Sequence, residues 1–179
     1  SEYLDKGADF GHTLWAIRPD GTHPELIFGN NTLNCYMNAH EVPGTSELCV
    51  TLISHGGDLN GPIALIDPER GRFNPEAITN LTPDTKPRYH MDWARQQCFR
   101  DPVPIARDYF LVSHAPRKQF GLYVIDRWGN RELLHLDPAI SSMSPSPLQA
   151  ATAPPVLASI KPQQQASNEG EFIVADVYA

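Results

Sequence analysis

Leu122-Tyr123-Val124-Ile125-Asp126, followed at once by the turn residues Trp128-Gly129-Asn130, is a phrase that this chain uses four times. The other copies are Leu14-Trp15-Ala16-Ile17-Arg18, Ile63-Ala64-Leu65-Ile66-Asp67 and Phe172-Ile173-Val174-Ala175-Asp176. Pro19-Asp20-Gly21 and Pro68-Glu69-Arg70-Gly71 supply the turns after the first two of these. The copies begin at residues 14, 63, 122 and 172. A fixed apolar phrase that closes in a turn and returns about every 50 residues marks propeller blades, each a small four-stranded sheet. The chain reads as several copies of one unit.

Working outward, each copy gathers further strands. Cys35 to His40 leads through Val42-Pro43-Gly44-Thr45 into the β-prone run Leu48-Cys49-Val50-Thr51-Leu52-Ile53-Ser54. The loop His55 to Gly61 then delivers the chain to Ile63, and Ala77 to Leu81 makes an outer strand. The next unit repeats the plan with Asp108 to Ser113, His114 to Gly121, the phrase itself, and Arg131 to Leu136. Leu52-Ile53-Ser54-His55 and Leu111-Val112-Ser113-His114 read as matched positions in the two units. Before Leu14 only an outer half-unit fits (Leu14 to Arg18, then Glu25 to Phe28), and little follows Asp176. The expectation is an all-β propeller segment of about two complete and two partial four-stranded blades. Residues 1–179 belong to one domain, with blade boundaries near 34, 84 and 140. Residues 84–104 read as an inter-blade insertion with a helical turn at Met91 to Gln97. Residues 141–168 read as a Pro/Ser/Gln-rich loop. Open blades leave strand edges unpaired, so the remaining blades are expected from the same larger protein or from another chain.

Bulk properties narrow the function classes. A net charge of −7 with no basic cluster excludes a nucleic-acid partner, which requires a concentrated Lys/Arg surface. No apolar run reaches the roughly 18 residues that a membrane helix needs. Ser1 to Lys6 carries no signal-peptide core, so any targeting segment is expected outside this stretch. Seventeen prolines and twelve glycines suit many short strands joined by turns. Cys35, Cys49 and Cys98 form no CxxC or CxxCH motif. They read as buried thiols, with a Cys35–Cys49 disulfide open to the chain in an oxidising compartment.

Asn74-Pro75-Glu76-Ala77-Ile78-Thr79-Asn80-Leu81-Thr82-Pro83, Asp108-Tyr109-Phe110-Leu111-Val112-Ser113 and the run from Gly121 to Leu133 carry a resemblance. They are similar to the middle β-propeller domain of the hydrazine synthase alpha subunit and its uncharacterised relatives, and more generally to TolB-like propellers. In that family the propeller lies between domains carrying c-type haems, in a complex that joins nitric oxide and ammonia. The resemblance implies a scaffold in an extracytoplasmic (periplasmic or secreted) protein, supporting a redox or ligand site built with other domains. It leaves open two alternatives: part of a c-type-haem redox enzyme, and a TolB-like binding module or a peptidase's accessory propeller. Covalent haem attachment needs CxxCH, so haem c is expected only in neighbouring domains or chains. Fold transfers more securely than reaction.

Among the residues that could carry chemistry, His55 and His114 each end an inner strand and open a loop. Loops on one face of a propeller converge on its channel, where these imidazoles could meet a haem, a metal or a substrate. Gly56 and Gly57 would let a ligand approach the backbone closely beside His55. The plainer reading is a structural histidine bonded to backbone. His40 and Tyr36, four residues apart on an innermost strand, are two further channel-facing candidates. His12, His23, His90 and His135 read as surface residues. Asp67, Asp126 and Asp176 read as turn caps rather than cation ligands. No metal-binding spacing and no GxSxG elbow is present, so neither a metal site nor a hydrolase triad is supported. Trp15 reads as a packing residue of its strand.

Overall fold

The computed structural model describes residues 3–4, 11–29, 35–53, 59–85, 97–148, 150, 153 and 155–158. In chain order its strands are β1 (Tyr3–Leu4), β2 (Gly11–His12), β3 (Leu14–Ala16), β4 (Glu25–Phe28), β5 (Cys35–Glu41), β6 (Leu48–Ile53) and β7 (Ile63–Ile66). After the short 3-10 turns Pro68–Arg70 and Pro75–Ala77 come β8 (Ile78–Asn80), β9 (Cys98–Ala106), β10 (Tyr109–Ala115), β11 (Gly121–Asp126) and β12 (Arg131–His135). The protein is all-β, in several antiparallel sheets. Two four-stranded meanders run in chain order, β5-β6-β7-β8 and β9-β10-β11-β12, beside the pairs β1-β2 and β3-β4. The phrase beginning at Leu14, Ile63 and Leu122 falls on β3, β7 and β11. Its fourth copy, Phe172 to Asp176, lies outside the described residues, as does the expected helical turn over 91–96.

Local chemistry sets the turns. Asp126 Oδ1 accepts from the Trp128 and Asn130 backbone N–H groups at 2.9 Å, and Gly129 takes a φ of +88° that a side chain would resist. Asp67 Oδ1 caps its 3-10 turn by accepting from the Glu69 N–H. Both aspartates act as the turn caps that the repeat implies.

One expectation is corrected here. Residues 98–104, read as insertion, are the first part of the nine-residue β9. Pro102 and Pro104 disguise it, since proline cannot donate to a ladder. β9 tolerates them because it is the edge strand of its sheet.

The layers stack in one sense. Cross-strand partners share a face, so Tyr36 and Leu52 look one way from the first meander, while Cys49, Leu65, Thr51 and Ile63 look the other. The first of these faces packs with Val50, Ala64 and Ile66 onto Phe28, Leu14 and Ile27 of the β3-β4 layer. The opposite face places Cys49, Ile63 and Leu65 against Phe99, Phe110, Val112 and Ile125 of the second meander. Covered on both sides, β7 is buried at every position. That explains its unbroken apolar spelling, Ile-Ala-Leu-Ile. On the second meander, Leu111, Leu122 and Val124 face away from this core and stay half-buried.

Candidate functional site

His114 sits inside the interface between the two meanders. It is 2% exposed, and its ring stacks on Phe99 at 3.9 Å and meets the edge of Tyr123 at 4.8 Å. A carbonyl oxygen only accepts, so Nδ1 carries the proton and donates to Cys98 O at 3.0 Å. Burial drives its pKa down to about 4; the Cys98 carbonyl works against this, and the Arg131 guanidinium pushes further down. At neutral pH the ring is uncharged. Arg131 caps the assembly: its guanidinium lies 5.1 Å from the Phe99 ring centre and bonds both Asp84 oxygens and Gln97 Oε1 at 3.0 Å. Burial raises the Asp84 pKa, but hydrogen bonds from Arg131 and Gln97 outweigh it and hold the carboxyl below its usual range. His114 does not fit a haem ligand. At 2% exposed, with Phe99 stacked on its ring, it has no open approach for a porphyrin.

The register separates the two matched histidine phrases. His114 pairs with Phe99 on one side and Gly121 on the other. In the first meander that position belongs to Leu52, which pairs with Tyr36 and donates its N–H to Pro62 O. The connection over 54–62 is longer than the one over 116–120, which displaces the phrases by three residues. His114 and His55 therefore do not occupy equivalent positions, and His55 itself lies outside the described residues.

Tyr36 and His40 are not brought together either. A bulge between Met37 and His40, with Asn38 at φ +53°, reverses the alternation. Tyr36 is 1% exposed and meets the Phe28 ring edge-on at 5.5 Å, while His40 is exposed opposite Cys49. His23 and His135 are exposed, as expected of surface residues. Cys35, Cys49 and Cys98 are buried thiols with no disulfide among them. Cys35 pairs with Ile53, four residues along β6 from Cys49, a separation of about 13 Å that no disulfide spans. Burial, only partly opposed by Arg127, pushes the Cys49 thiol far above its ordinary pKa, so it is unreactive. Among the described residues no three His, Cys, Asp or Glu side chains gather as metal ligands.

Three features escaped the sequence reading. The first is Gly61, whose N–H and C=O bond Phe99 of the next meander at 2.9 and 3.1 Å. A Cβ there would lie 1.9 Å from Leu52 O, so only glycine fits. A second is Arg127, which ties Glu47 of one meander to Asp108 of the other. The third is a cavity of about 630 Å³ between β3 and the first meander. Trp15, Ala16 and Ile27 form one wall and Ala39, Glu41 and Leu48 the other. Trp15 is less packed than expected, 43% exposed, with Nε1 donating to Thr13 Oγ1 at 2.7 Å.

No family model and no curated protein matches this chain. Among solved structures, a chain of Kuenenia stuttgartiensis hydrazine synthase matches 73% of this chain with a TM-score of 0.56 and 21% identity. At that identity the likeness is one of fold. This chain covers 16% of the length of the solved one.

Proposed function

We propose that this chain is a scaffold segment, a run of propeller blades within a larger extracytoplasmic protein related to the hydrazine synthase alpha subunit. The observation that carries this reading is directional stacking. The face holding Tyr36 and Leu52 turns toward the preceding layer, and the equivalent face holding Phe99 and His114 does the same one layer on. Units that meet front to back in one sense build a ring or an open stack. The fold shared with part of hydrazine synthase supports the same reading. His114 serves packing and the other described histidines form no cluster, so a redox or ligand site would be completed by other domains or chains, with haem c as their contribution.

The test is an intact mass of the native protein, with a visible spectrum before and after dithionite. The expected mass is well above 19.9 kDa. A native monomer of 19.9 kDa would overturn the scaffold reading. A Soret band that shifts on reduction would place haem in the flanking domains; a colourless assembly would remove the haem contribution and leave a ligand-binding scaffold.

A further inference from the structure

The phrase that begins β3, β7 and β11 makes these three strands equivalent, and their edges are filled unequally. β7 lies between β6 and β8, and β11 lies between β10 and β12. Among the described residues β3 has β4 on one edge and no neighbour on the other. The edge left without a neighbour among the described residues is the one that β6 and β10 occupy in the meanders. The cavity borders β3, walled by all three of its residues with Ile27 of β4 and closed by Ala39 and Glu41 of β5, the loop from Thr45 to Glu47 and Leu48 of β6. The next layer down shows what belongs in such a place, since β9 touches both β5 and β6 across the core.

We propose that this slot accepts an extended β-strand from outside these 179 residues, laid antiparallel on β3. Its chemistry follows from the strands in the corresponding places. β6 (Leu-Cys-Val-Thr-Leu-Ile) is buried at five of its six positions, and β10 carries Phe110, Leu111 and Val112 in succession. The occupant is therefore apolar on both faces. It satisfies the β3 backbone groups by ladder hydrogen bonds and lays one row of side chains on Ala39 and Leu48. Phe172 to Asp176 is spelled like a β7 or β11 strand rather than like β6 or β10, so it is not the occupant assigned here. The inference rests on the stacked-repeat reading and names the partner that the reading requires.

The probe is a lysine-flanked synthetic peptide with the β10 sequence Tyr109 to Ser113, added to the full chain. Saturable binding is expected, with slowed amide exchange confined to β3. An L111P version of the peptide, which lacks one ladder donor, should bind at least about tenfold more weakly. On the protein side, Ala39→Trp should fill the slot and block the peptide while leaving the fold intact, because Ala39 is exposed. Equal binding of both peptides, or no saturable binding, would overturn the proposal. So would β3 amides already protected in an isolated two-copy assembly, which would make a second copy the occupant. The native mass tests the scaffold reading alone, so the two can fail separately.

Discussion

The first meander is covered along both faces, whereas the far face of the second is covered at Ser113 and Ala115 but left half-buried at Leu111 and Val124, and that difference accounts for their contrasting sequences. β6 and β7 are buried almost throughout and are spelled as continuous apolar runs. β10 and β11 are covered less evenly: Phe110, Val112 and Ile125 are buried toward the shared core and β10 stays buried through Ser113, His114 and Ala115, while Leu111, Leu122 and Val124 are half-buried. The lesson is that one repeated phrase serves two environments. Its identity sets strand position, and its neighbours set burial. The comparison can be broken first at the place where the two meanders are sewn together. Gly61→Ala drives a Cβ into Leu52 O and pulls apart the two bonds to Phe99. A loss of more than about 4 kcal/mol is expected, read as a fall in the denaturant midpoint. A change under 1 kcal/mol would mean that the meanders are not joined there.

Equivalent positions then sharpen the contrast. Ile63 and Leu122 open the same phrase, one fully buried and the other half-buried. Ile63→Ala should cost about 2–5 kcal/mol, and Leu122→Ala about 1 kcal/mol, because only the first leaves a cavity between packed layers. Equal losses in urea denaturation would show that the far face of the second meander is covered as well as the first.

Much of this was legible from residues alone. The strand phrase, its turn-capping aspartates and the order of the pairing partners follow from apolar runs broken by Asp, Gly and Pro. What was hidden lies in relations between distant segments. β9 was obscured because Pro102 and Pro104 read as loop, and only its edge position makes them tolerable. The matched Ser-His phrases suggested paired histidines, yet loop length, not phrase, sets register. The bulge at Asn38 separates Tyr36 from His40, and nothing in their spacing announces it. Gly61 was overshadowed by Gly56 and Gly57, because its close approach to Leu52 appears only once the strands are paired. The slot beside β3 is defined by a neighbour that is missing among the described residues, which no run of residues spells.

Leu52 and His114 are the sharpest single exchange between the meanders, an apolar side chain in one and a buried neutral imidazole in the other. With its folded pKa near 4, His114 resists protonation in the folded state relative to the unfolded chain. Between about pH 6.5 and pH 4 the unfolded state binds more protons, so its contribution makes stability fall as pH drops. The slope is at most about 1.4 kcal/mol per pH unit. Above that window the contribution is flat. Denaturation of the wild-type and His114→Leu proteins from pH 7.5 to 4 should show a slope in the first that is reduced in the second. Parallel curves would mean that the imidazole is not held neutral.

The smallest expected effect concerns charge at the rim of the same interface. Arg127 bonds both Glu47 oxygens at 3.0 and 2.7 Å and Asp108 at 2.9 Å, and its side chain is 23% exposed. The hydrogen bonds it donates to Glu47 contribute most to holding its pKa above the ordinary value, against a smaller opposing effect of burial. A two-pronged, partly sheltered pair is worth more than an open surface pair, which contributes at most about 1 kcal/mol. A double-mutant cycle of Glu47→Gln with Arg127→Met should give a coupling of about 1 kcal/mol that shrinks as salt is raised. Both groups belong to different meanders, so coupling read by denaturation reports on the contact between layers rather than on either sheet. A coupling near zero would leave the join to Gly61 and the apolar core, with charge setting only the alignment of the two edges.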